Sequence, residues 1–186
     1  MPEEKEVARQ EGNPGRCPDC GAGGTAGRAG CQARFDKFAA RAYSESRWAR
    51  WHDLAFDTYC MQHPGRYCRS AKSYAAHLAR LCCGLEYGGS PRIYAAIQRW
   101  LNGRVEIERP SALSPLGEIT VADLALAQNP QEFGRRVQRW AQSVWQAYTP
   151  QQDLARAWIQ AALREAKAPP ARRNSWSSHC ARAIPD

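Results

Sequence analysis

From Cys31 onward the apolar residues of this chain recur every three or four positions, the spacing that lines one face of a helix. Phe35, Phe38, Ala39, Ala42 and Tyr43 fall at i, i+3, i+4, i+7 and i+8 and predict a first helix. A second, rich in aromatics, runs from about Arg47 to Gln62, because Pro64 biases His63 away from helical backbone. After a loop at 64–69, the stretch Ser70 to Tyr87 carries Tyr74, His77, Leu78, Leu81 and Leu85 on one face and stops at Gly88-Gly89. The last two helices are expected to form an antiparallel hairpin.

Ser90-Pro91 supplies a cap and a first-turn proline for a helix reaching Asn102-Gly103. Residues 104–119 read as a connection, with a short extended piece at Val105 to Ile107. Thr120 and Asp123 make a capping pattern for a short helix, and Asn129-Pro130 opens a longer one. That longer helix bears the cleanest amphipathic stripe, through Phe133, Val137, Trp140, Val144, Trp145 and Tyr148. Thr149-Pro150 then restarts a final helix, with Leu154, Trp158 and Ala161 inward, ending before Pro169-Pro170. The pattern describes an all-α protein, an irregular bundle of about five to seven helices.

Residues 1–15 and 169–186 are too polar to offset the entropy of ordering them, so flexible tails are expected around a single helical domain at 16–168. No run approaches the ~18 apolar residues of a membrane span, and Met1 to Glu6 lacks the apolar core of a signal peptide. A cytoplasmic protein without a membrane partner is expected. That setting changes how the eight cysteines are read: in a reducing compartment they are ligands, reactive thiols or small buried hydrophobes before they are disulfides.

The net charge of +8 comes from 26 basic and 18 acidic residues, and four of the 26 are lysines, leaving 22 arginines. Arginine forks onto phosphate, so a nucleic-acid partner is possible. It is not favoured, because the arginines are scattered and form no basic stripe interleaved with aromatics. The tryptophans stand at helical spacing and read as packing residues.

Two constellations carry candidate chemistry. Cys17-Pro18-Asp19-Cys20-Gly21-Ala22 places two thiolates two residues apart in a tight turn, a grip on one side of a tetrahedral ion such as Zn2+. Such a knuckle is half a site. Cys31, eleven residues after Cys20 across a Gly-rich run, is the best third ligand, and a histidine from the helical body would complete the set.

The second constellation is His52, Asp57, Tyr59, Gln62, His63 and Pro64, with His77 on the next helix. His52, Tyr59 and His63 lie within about 20° of one another around a helix, but eleven residues rise about 16 Å, so His52 and His63 cannot share one ion. Either His63 pairs with His77 across the hairpin, or one of His52, His63 and His77 serves the N-terminal thiolates. The plainer reading makes His63 a helix-end residue, His52 and His77 hydrogen-bonded core side chains, and Asp57 the partner of an arginine. Cys60, Cys68, Cys82, Cys83 and Cys180 read as small packing residues, and Glu86 as an exposed helix-end charge.

Taken together, the Cys-x-x-Cys-Gly-Ala element at 17–22, the lone Cys31, the run from His52 to Pro64 and His77-Leu78 resemble a bacterial family of unknown function, domain of unknown function 5946. Gly117 to Asp123 and Trp140 to Trp145 look like the same family, so the resemblance covers about residues 17–160. It implies that Cys17, Cys20, Cys31, His52, Asp57, His63 and His77 form one functional or metal-binding region, and it implies no substrate.

Two functions follow as expectations. One is a zinc-stabilised binding or adaptor module with a protein or small-molecule partner, the metal fixing the N-terminal segment to the bundle. The other is a metal-dependent hydrolase in which His63, His77 and Asp57 hold a catalytic ion and Tyr59 donates a hydrogen bond to substrate.

Overall fold

The computed structural model describes residues 15–114, 116–124 and 127–167; the two predicted tails, Gly15 apart, and Cys180 lie outside the described residues. The described residues are all-α, with nine helices. These are α1 (Gly27–Ser44), α2 (Ser46–Ala49), α3 (His52–Gln62), α4 (Pro64–Tyr67), α5 (Ala71–Glu86), α6 (Pro91–Asn102), α7 (Val121–Leu124), α8 (Pro130–Ala147) and α9 (Gln152–Lys167). Three of them, α2, α4 and α7, are single turns of four residues. No described helix is long and apolar enough to cross a membrane.

The hairpin of α3 and α5 forms the centre. Leu54 near the start of α3 packs on Gly84 near the end of α5, and Asp57 one turn later reaches back to His77 and Arg80, so the two run antiparallel. Ser70 and Ser73 build a reciprocal capping box at the start of α5. α6 lies along α9, and α9 also covers α5.

α8 crosses α3 with the predicted stripe inward: Phe133, Val137, Trp140, Val144, Trp145 and Tyr148 are all buried. Asn129 caps α8 by accepting from the Glu132 N–H at 2.9 Å. Thr120 and Asp123 bond as the sequence suggested, the Thr120 N–H donating to Asp123 Oδ2 at 2.9 Å.

In four places the backbone departs from the sequence reading, each for a packing reason. The expected helix at 47–62 breaks at Arg50-Trp51, where the Trp51 N–H bonds the Trp48 carbonyl three residues back. That tight turn sets both indoles on one side, against α8: Trp48 packs on Phe133 at 4.6 Å, and Trp51 covers Gly134 so closely that a Cβ there would lie 2.3 Å from its ring. The expected loop at 64–69 begins instead with α4, with Pro64 in its first turn. Val105 to Ile107 forms no strand; both apolar residues tuck against the core without a partner strand. Finally, α1 starts at Gly27, inside the Gly-rich run, because the preceding loop braces it.

Candidate metal centre

The brace begins at the knuckle. The Cys17 N–H donates to the Ala22 carbonyl and the Gly21 N–H to the Cys17 carbonyl, at 2.9 and 2.8 Å, folding 17–22 into a loop that brings two sulfurs to one side. Gly21 takes φ +74°, a left-handed conformation that costs glycine nothing. Arg28 in the first turn of α1 clamps Asp19 through Nε and Nη2 at 2.7 and 2.8 Å, and the same clamp holds the Asp19 carboxyl below its ordinary range. One turn of α1 presses directly on the loop: a Cβ on Gly30 would fall 1.4 Å from the Thr25 carbonyl oxygen.

Cys31 follows on α1, fully buried and opposite the C-terminal end of α3. There His63 leaves the helix with φ −128° and ψ 50°, turning its ring back toward the knuckle. The donor atoms of Cys17, Cys20, Cys31 and His63 all lie within 4.8 Å of one another. His63 Nε2 stands 3.5 Å from Cys31 Sγ and 3.7 Å from Cys17 Sγ, and the Cys20 and Cys31 sulfurs are 3.7 Å apart, far beyond the ~2.05 Å of a disulfide. Such a cluster can hold a metal ion.

The surroundings prepare these donors. His63 Nδ1 is 2.7 Å from the Tyr59 carbonyl, which can only accept, so Nδ1 carries the proton and Nε2 turns its lone pair to the sulfurs. The Tyr59 ring stacks on Phe35 at 4.2 Å, and its hydroxyl donates to Cys31 Sγ at 3.8 Å. Burial and the nearby Cys31 charge push the Tyr59 hydroxyl up, so it remains a donor. The Cys20 and Cys31 sulfurs can share one proton, either acting as donor, and this contact holds one of the two thiols up and the other down.

The neighbour of His63 anchors the whole arrangement. Gln62 is fully buried, donates through Nε2 to the Leu116 and Ile119 carbonyls at 3.0 and 2.8 Å, and accepts from Trp140 Nε1 at 2.8 Å. Tyr148 donates to the Met61 carbonyl at 2.8 Å. The end of α3 is thus tied to α8 and to the 116–119 loop. Sequence reasoning quoted Gln62 without giving it this role; a glutamine beside His63 on an otherwise apolar helix end was the available signal.

The other candidates stand elsewhere. His52 lies among the rings of Phe38, Tyr43 and Phe56, at 6.3, 5.1 and 6.0 Å, with Asp53 3.6 Å from its Nδ1. His77 Nδ1 is 2.9 Å from Asp57 Oδ1, and Arg80 Nε reaches both Asp57 oxygens at 3.0 and 3.3 Å. Asp57 is completely buried; burial pushes its carboxyl up, against the pull of His77 and Arg80. His63, His77 and Asp57 therefore do not surround one ion, because His63 faces the thiols while the other two close an α3–α5 contact. The pairing of His63 with His77 is likewise replaced by His63 with the knuckle.

Cys60, Cys68, Cys82 and Cys83 are buried free thiols, and burial pushes Cys68 and Cys82 up to about 12. Glu86 is bound by Arg156 at 2.6 and 2.8 Å and by the Trp145 indole N–H at 3.1 Å, which makes it a structural ion pair.

Fold and site together define an all-α protein in which a short N-terminal knuckle joins two helices around a buried Cys3His cluster able to hold a metal ion. Residues 15–149 match the model of a family described as "Family of unknown function (DUF5946)", and the chain belongs to that family. No curated protein and no solved structure matches the chain.

Proposed function

We propose that Cys17, Cys20, Cys31 and His63 hold a structural zinc ion that fastens residues 15–26 to the helical body, and that the protein is a metal-stabilised binding module. One observation carries the reading. With zinc–sulfur bonds of about 2.3 Å and zinc–nitrogen bonds of about 2.0–2.1 Å, the edges of a regular tetrahedron are about 3.8 Å between sulfurs and about 3.6 Å between sulfur and nitrogen. Three of the six edges here are 3.7 Å for Cys20–Cys31 and 3.5 and 3.7 Å from His63 Nε2 to Cys31 and Cys17, and all six lie within 4.8 Å.

Three thiolates and one imidazole suit zinc over the hard, oxygen-seeking cations. Four protein donors also complete a tetrahedron without a position for water, the pattern of structural sites. A binding role, with a protein or small-molecule partner, fits this better than hydrolysis. The test is elemental analysis of the purified protein followed by X-ray absorption at the metal edge. We expect one zinc per chain with three sulfur neighbours and one nitrogen. A shell of oxygen and nitrogen, or no metal retained after exposure to zinc, would overturn the proposal.

A further inference from the structure

Beside the metal cluster, and sharing none of its four ligands, a cavity of about 550 Å³ opens between the Gly-rich loop, α1, α2 and the α7–α8 corner. That volume lies within the roughly 300–1,000 Å³ of small-molecule sites. Its floor is apolar and largely aromatic: Phe38 and Trp48 both pack on Phe133, at 4.8 and 4.6 Å, with Val121 and Leu124 beside them.

Its rim is cationic. Arg34, Lys37 and Arg41 line it from one edge of α1, at i, i+3 and i+7, and among the described residues no carboxylate lines it. Two of the three are held in place: Arg34 donates to the Gly24 carbonyl at 2.7 Å, and Arg41 lies over the Trp48 ring at 3.9 Å while bonding Glu45 at 3.1 Å. Lys37 is paired with no carboxylate among the described residues.

An apolar floor under a rim of positive charge selects a ligand with an apolar body and an anionic head.

We infer that this cavity binds a small aryl carboxylate, its ring seated among Phe38, Trp48 and Phe133 and its carboxylate held by Lys37 and the arginines of the α1 edge. The site is separate from the metal centre and does not require the zinc reading to hold. Aromatic surfaces give such a ligand stacking contacts, and a partly desolvated carboxylate gains more from the cationic edge than it would in open water.

The test is titration calorimetry of the full chain with 2-naphthoate and with its neutral counterpart, 2-naphthalenemethanol. We expect one naphthoate bound per chain and at least fivefold weaker binding of the alcohol. Lys37→Glu should weaken naphthoate at least fivefold and leave the alcohol unchanged. Ala33→Trp, which places an indole at the exposed mouth, should weaken both. Unchanged melting temperatures would show that each variant is folded. Equal affinity for acid and alcohol, no binding of either at millimolar concentration, or naphthoate affinity unaffected by both variants would overturn the inference.

Discussion

Replacing Cys31 by serine separates metal binding from packing with little change of shape. Cys31 is fully buried on α1, and the Tyr59 hydroxyl beside it can bond a serine oxygen as it does the sulfur, so the metal-free variant should lose about 1 kcal/mol or less. The loaded protein should differ. Structural zinc sites of four ligands bind with about 10–16 kcal/mol, so one thiolate accounts for about 3–4 kcal/mol, or roughly 10²–10³ in metal affinity. Since metal bound only to the folded state adds its free energy to stability, the loaded variant should melt about 10 °C below the loaded native protein. Thermal melts of both proteins, each with excess zinc and with chelator, measure all four states. If the two proteins differ as much in chelator as in zinc, Cys31 acts by packing alone; if zinc does not raise the native melting temperature, the cluster does not hold it.

Three further outcomes are expected. Gln62→Leu removes the acceptor of the buried Trp140 indole and the donor to two partly buried carbonyls, so urea denaturation should show a loss of about 3 kcal/mol. Gly30→Ala forces a methyl onto the Thr25 carbonyl and should lower zinc affinity in a chelator competition while circular dichroism reports unchanged helix content. Arg156 holds the Glu86 carboxyl below its ordinary 4.5, so this ion pair adds stability above that pH and loses it as pH falls through the lowered folded value. Glu86→Gln should therefore cost about 0.5–1 kcal/mol at pH 7, and denaturation curves of the two proteins should converge in acid; a gap that persists there would refute the linkage.

What the chain reveals by itself depends on how local the cause is. The start and stripe of α8 were legible because Asn129, Pro130 and six apolar positions act within one helix. The break after Ala49 was not, because it serves contacts of Trp48 and Trp51 with Phe133 and Gly134, more than eighty residues away. The early start of α1 was hidden for the same reason: the glycines argue against a helix until Asp19 and Thr25 are seen bracing it. In the site, the convergence of three sulfurs follows from short spacing along a flexible loop. The choice among His52, His63 and His77 needed the antiparallel packing of α1 on α3, which sets Cys31 against the last turn of α3 and Phe38 against the first.

Gly24, Thr25 and Gly30 belong to two places at once: they lie between the second and third cysteines along the chain, and they form one wall of the aromatic cavity. A molecule that seats only against the ordered wall and an ion that orders it must strengthen each other by the same factor, because coupling between two binding equilibria is reciprocal. At low free zinc it would hold its ligand more weakly, and at low ligand it would surrender its zinc more readily.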